Sequence, residues 1–329
     1  MLMLIYFLCV NYYYSNLIVV TMAEKVIIIG SGPAGLSAAI YTAREAFKPL
    51  VIAGTKGGGQ LELTSIVENY PGFPEGIDGP VLIQKLREQA AKFGARFINE
   101  DLTDVDFSGR PLKITAGDNT YEADTVIIAT GANAKWLGIE SEKKFIGKGV
   151  SSCGTCDGPF FKNKKVIVVG GGDTAMEDAT FLTRFAESVT VVHRRDQLRA
   201  SKIMQDNARS NPKIKFMLNT TVEEIVGDVK VTGVRLKNIL TESITEMSID
   251  GVFVAIGYSP NTQMLQGKLK LDEKGYVVTH DEVKTDIDGV FIAGDMADSF
   301  YRQAATASAS GVKCALHVRE FLARHSSSN

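Results

Sequence analysis

Short runs of Val and Ile that stop at a glycine punctuate the chain. Lys25-Val-Ile-Ile-Ile29 ends at Gly30, Asp124-Thr-Val-Ile-Ile-Ala-Thr130 at Gly131, and Val166-Ile-Val-Val169 at Gly170. Gly251-Val-Phe-Val-Ala-Ile256 and Gly289-Val-Phe-Ile-Ala293 end the same way, at Gly257 and Gly294. An unbroken β-branched run of this length reads as a strand buried on both faces, the kind found in parallel sheets. Helical spacing follows Gly30 as far as Arg44 and follows Gly170 to about Phe185, and a small-residue helix is expected over 299–320. Strand, glycine turn and helix, used twice, predict an α/β fold of two Rossmann-like, three-layer domains. Gly, Asn and Pro cluster over 131–137 and 258–264, where joints are expected. The second domain, 134–262, is therefore read as inserted into the first, which comprises 23–133 and 263–325.

A chain of 329 residues has the length for two such domains. A net charge of −2 gives no reason to invoke nucleic acid or an anionic membrane. Residues 1–22 carry no charge and two apolar stretches, broken by Asn11-Tyr-Tyr-Tyr-Ser-Asn16. The segment lacks the basic n-region and cleavage site of a secretory signal, and its apolar run is interrupted for a membrane span. It reads as a leader or anchor, or as sequence upstream of a true start at Met22.

The two glycine turns carry the first chemistry. In Gly30-Ser31-Gly32-Pro33-Ala34-Gly35 the first glycine allows the tight turn, the second lets backbone approach a pyrophosphate, and the third lets helix pack on strand. The acid expected some 20 residues on, to hold a ribose, is absent, and the glycine-rich loop 54–60 stands there instead. Gly170-Gly-Gly172-Asp173-Thr174-Ala175 repeats the device, with alanine at the last position. The next strand, 189–192, runs into His193-Arg194-Arg195, with Arg199 expected one helical turn on. Guanidinium groups at this place suit a 2′-phosphate, which points to NADPH rather than NADH. An exposed basic strand end is the plainer alternative. Gly294-Asp295 at a strand end offers a carboxylate for a ribitol hydroxyl, with Arg302, Gln303 and Ala304 near the start of the last helix, though a turn with an Asp cap reads equally well.

The chain has four cysteines, Cys9, Cys153, Cys156 and Cys314, too few for a disulfide framework. Cys153-Gly-Thr-Cys156-Asp157 stands ten residues ahead of the strand that starts at Val166 and runs into the second glycine motif. In a reducing compartment, which the cysteine count suggests, such a pair is catalytic or metal-binding before it is structural. Zinc wants four ligands, and His193, His280, His317 and His325 are scattered, so no metal is expected. Two nucleotide sites beside a dithiol describe a path for two electrons from a pyridine nucleotide through a flavin to a disulfide. A flavin-dependent dithiol oxidase and a nucleotide-binding redox sensor are the competing readings.

Over residues 25–325 the chain resembles the low-molecular-weight NADPH-dependent thioredoxin reductases. The resemblance rests on Gly30 to Gly35, Gly58-Gly59-Gln60-Leu61, Val67-Glu-Asn69-Tyr-Pro-Gly72, Ala129-Thr130-Gly131-Ala132, the Cys153 to Gly158 motif, the second glycine motif, His193 to Arg199, and Gly294 to Ala304. It implies FAD on the outer domain, NADPH on the inserted one, thioredoxin as substrate, a homodimer and a cytoplasmic enzyme. It further implies that Asn69 lies near the flavin, that Cys156 faces the flavin, that Cys153 attacks the partner disulfide, and that Asp157 is the acid-base residue. The inserted domain, carrying both the dithiol and the NADPH motif, is expected to rotate about its two joints so that each reaches the one flavin.

Overall fold

A computed structural model describes residues 23–64 and 66–326. Its outer sheet is built on parallel strands in the order Arg96–Ile98, Leu50–Ile52, Glu24–Ile29, Asn119–Ile128, Val290–Ile292. The middle strand Asn119–Ile128 is long because it serves two purposes. Its second half pairs in parallel with Glu24–Ile29, while its first half pairs antiparallel with Leu112–Ala116. Helices Pro33–Arg44 and Ala304–Ser326 pack together on one face, where an ideal Cβ on Gly311 would fall 2.0 Å from the Ala34 carbonyl oxygen. Only a glycine lets the helices approach so closely.

The second sheet is parallel, in the order Val150–Ser151, Gly251–Val254, Lys165–Val169, Ser188–Val192, Ile214–Met217. An antiparallel trio, Thr220–Gly227, Val231–Asn238 and Ile244–Ser248, covers one side of it. The two sheets have separate hydrophobic cores, as their all-apolar central strands require. The chain passes between them twice, and the two crossings pair with each other. Strand Ala132–Ala134 lies antiparallel to Tyr258–Pro260 in the register Ala134 to Tyr258 and Ala132 to Pro260.

Three expectations about elements change. The last helix begins at Ala304, not 299, because the Asp298 carboxylate gathers the N–H groups of Phe300, Tyr301 and Arg302 into a turn. Arg302 leaves that turn at φ +48°. Residues 194–200 are a loop, so Arg199 does not sit one helical turn beyond Arg195; the helix there starts at Lys202. The helix after the second glycine motif ends at Leu182, short of Phe185. Among the described residues no helix is long and apolar enough to cross a membrane; the expectations for residues 1–22 lie outside the described residues.

Candidate active site

The first glycine turn opens on a cleft of about 660 Å³, a size usual for a cofactor. Gly30 has φ +109°, and an ideal Cβ on it would stand 2.2 Å from the Ala129 carbonyl oxygen, so only glycine lets the two strand ends meet here. Gly30, Ser31, Gly32, Pro33 and Ala34 line the cleft, as do Gly59, Gln60, Leu61, Asn69, Ala129, Thr130 and Gly131. Gly294, Asp295, Arg302, Gln303 and Ala304 complete its wall. Gly35 alone of the residues expected at a flavin lies behind the wall, packed where its Cβ would strike the Gly30 carbonyl. The Ser31 hydroxyl donates to the Ala53 carbonyl and accepts from Gly58 N–H, both at 3.0 Å, and so ties the 53–58 loop to the turn. Asn69 reaches Gln303 across the cleft mouth at 3.2 Å.

The residues fit a flavin dinucleotide. The N-terminus of helix Pro33–Arg44 starts at Gly32 with free N–H groups and no side-chain cap, a cradle for phosphate. Asp295 supplies the sharper sign: its Oδ1 is buried with no hydrogen-bond partner. Burial pushes its carboxyl up to about 7, Asp298 adds to the shift, and Arg302 opposes it. A buried orphan acceptor on a cleft wall calls for a ligand hydroxyl.

The dithiol opens on the same cleft. Cys153 and Cys156 are joined, Sγ to Sγ, at 2.05 Å, and both line the cleft with Asp157. Cys153 precedes the single turn Gly154–Asp157, and its Sγ accepts from the Cys156 N–H at 3.2 Å. Asp157 is half-buried, and the desolvation raises its carboxyl above the usual range; a hydrogen bond from Ser151 works against the shift. The Ser151 hydroxyl also accepts from Cys153 N–H at 3.0 Å, so one side chain braces both the cysteine and the acid.

The second glycine motif faces elsewhere, and none of Gly170, Gly172, Asp173, Thr174, His193, Arg194, Arg195 or Arg199 lines the cleft. Arg194, Arg195 and Arg199 are exposed. His193 lies beneath them rather than among them: its ring is buried, bonded at 3.1 Å to the Gln197 carbonyl, and occupies the space a Cβ on Gly171 would need. Burial, with Arg199 and its neighbours, holds its pKa below the ordinary value. Asp173 accepts from Ser201 N–H at 2.7 Å and from its hydroxyl at 2.9 Å, fastening the basic loop to the helix start.

Two residues at the dithiol had not been singled out from sequence. Asp178, on helix Asp173–Leu182, is buried against the redox turn, with its Oδ1 2.5 Å from the ideal Cβ position of Gly154. Burial drives its carboxyl up to about 7, Glu177 reinforces the shift, and Gly154 N–H and Arg302 oppose it. Tyr258, on the second crossing, donates its hydroxyl to the Ser152 carbonyl at 2.8 Å. Asp178 falls on the helix's apolar stripe with Ala175, Ala179 and Leu182, and an acid in such a stripe was the available signal.

Comparison with known proteins gives this geometry a family. The family described as "Pyridine nucleotide-disulphide oxidoreductase" matches residues 24–311. A thioredoxin reductase of Rickettsia prowazekii is 53% identical over 306 residues, covering 92% of this chain and 99% of its own. The crystal structure of thioredoxin reductase from Streptococcus pyogenes is 41% identical, with a TM-score of 0.87 over 91% of this chain and 98% of its own. That of Lactococcus lactis, in what is called its FR conformation, is 40% identical but has a TM-score of 0.62 over 92% and 99%. The cleft, the disulfide and the two glycine motifs are those of an oxidoreductase, and the chain belongs to the pyridine nucleotide-disulphide oxidoreductase family.

Proposed function

We propose that the protein reduces the disulfide of thioredoxin with electrons from NADPH, passed through FAD and the Cys153–Cys156 pair. The observation that carries this reading is a disulfide opening on the same cleft as a dinucleotide turn and an orphaned buried carboxylate. FAD, if bound there, would supply two-electron redox chemistry between a reduced nicotinamide and the disulfide. Gly30 to Ala34 and Asp295 would hold it, and the exposed Arg194, Arg195 and Arg199 would take the 2′-phosphate of NADPH.

The protein's own groups account for the remaining steps. Two electrons break the Cys153–Cys156 bond, and Asp157, whose raised pKa keeps a proton close, protonates one of the sulfurs. The Cys153 thiolate attacks the substrate disulfide, giving a mixed disulfide and one substrate thiolate. Cys156 then attacks Cys153, restoring the internal bond and freeing the second substrate thiolate. The hydride and one proton from water complete the balance.

The dithiol lines the cleft while the nucleotide motif does not, which supports a turn of the inserted domain that lets each act in its phase. Two relatives of nearly the same identity, 41% and 40%, with TM-scores of 0.87 and 0.62, support two arrangements within the family, since sequence divergence does not separate them. A homodimer and a cytoplasmic location belong to the same reading. The test is NADPH consumption by the purified protein with a panel of oxidised thioredoxins. Thioredoxin-dependent consumption that vanishes in Cys153→Ser supports the reading. Consumption by oxygen alone would favour an oxidase, and none would favour a sensor.

A further inference from the structure

The redox turn is held from both sides by groups that both feel the charge of one arginine of the outer domain. On the side before Cys153, Tyr258 donates its hydroxyl to the Ser152 carbonyl at 2.8 Å. On the side after it, the Asp178 carboxylate fills the space beside Gly154 and meets its N–H. The Arg302 guanidinium stands 4.2 Å from the centre of the Tyr258 ring and acts electrostatically on both Tyr258 and Asp178. Arg302 belongs to the outer domain, in the loop that follows Asp298, and its φ of +48° shows that the loop adopts an uncommon conformation to deliver it. No salt bridge to another residue competes for it among the described residues.

We propose that Arg302 is an inter-domain clasp, and that Tyr258 and Asp178 are the positioning residues through which it keeps the Cys153–Cys156 turn facing the cleft. The proposal rests on the reading above, in which this turn must face the cleft in one phase of the cycle and leave it in another. Its parts suit a reversible hold. A cation over an aromatic face and a charge across a partly dry gap are attractive without interlocking, and domain rotation severs both together. Tyr258 sits on the crossing strand itself, so the clasp bears on the axis about which the domain would turn.

The experiment needs no flavin. The apoprotein is reduced, and alkylation of Cys153 and Cys156 by iodoacetamide is timed by mass spectrometry in Arg302→Met, in Tyr258→Leu and in the double variant. Each single change is expected to speed alkylation of both cysteines by roughly fivefold, the scale of one such contact, and the double change to add almost nothing further. Tyr258→Phe, which keeps the ring and the fold, is expected to retain most of the Arg302 effect while loosening only the Ser152 side. In flavin-loaded protein Tyr258→Leu should slow electron transfer to the disulfide but not flavin reduction by NADPH. Unchanged alkylation, or effects of the two single changes that simply multiply, would overturn the clasp. So would equal slowing of both half-reactions. Failure of the wild-type protein to reduce thioredoxin condemns the functional reading instead, and leaves the alkylation result standing.

Discussion

Asp178 is buried and Asp295 half-buried, and each carboxyl is pushed up to about 7 from an ordinary 3.8, in both cases first by desolvation. A carboxyl whose pKa is raised in the fold keeps its proton there after the unfolded chain has lost its own. Between about pH 4 and 7 the unfolded state therefore binds fewer protons, and stability falls as pH rises, levelling off above 7. The apoprotein's melting temperature is expected to decline across that window, and to decline less in Asp178→Asn with Asp295→Asn. An unaltered slope in a calorimetric pH series would refute the assignment. Such groups mark where a fold gives up stability to hold a functional charge. Asp295 was legible in the sequence because it ends a strand after glycine. Asp178 was not, because its meaning depends on a turn 24 residues earlier folding against it.

The glycine-ended strands were legible because buried β-branched runs and the turns that stop them are local facts. Element ends decided by side chains were less so. The last helix starts five residues later than its small-residue pattern suggests, since Asp298 captures three N–H groups first. The basic segment 194–200 shows the same effect. Its sequence suited a helix, but Arg199 and Ala200 N–H both bond to the Gly171 carbonyl, at 2.6 and 3.0 Å, and draw it into a loop over the glycine motif. Those backbone bonds hold the loop, so its arginines should act through charge rather than through folding. Arg194→Gln with Arg195→Gln is expected to raise the KM for NADPH by about 10- to 100-fold, as lost charge-assisted bonds would, while leaving NADH use unaltered. Steady-state kinetics with both coenzymes decide it, and an equal loss for the two would sink the 2′-phosphate assignment.

At the scale of the molecule, the dithiol lines the cleft and the second glycine motif does not. Gly147 of the inserted domain meets the outer domain beside Leu63, its ideal Cβ 3.6 Å from that carbonyl oxygen. A Leu63→Cys, Gly147→Cys pair joined by a short bismaleimide, with Cys9→Ser and the active disulfide kept oxidised, should hold the domains as they stand. Turnover with thioredoxin is then expected to fall at least about 100-fold while the flavin remains bound; full turnover would refute rotation. The free thiol Cys314 does not interfere, being fully buried and donating to the Ile292 carbonyl. The paired crossings carry one more implication. Because Ala134 lies directly opposite Tyr258, the inserted unit leaves and rejoins its host at hairpin distance. Excising it and closing the gap with a two-residue turn would leave every strand of the outer sheet its partners. The segment between the two crossings is thus attached to the rest of the fold where a tight turn would serve.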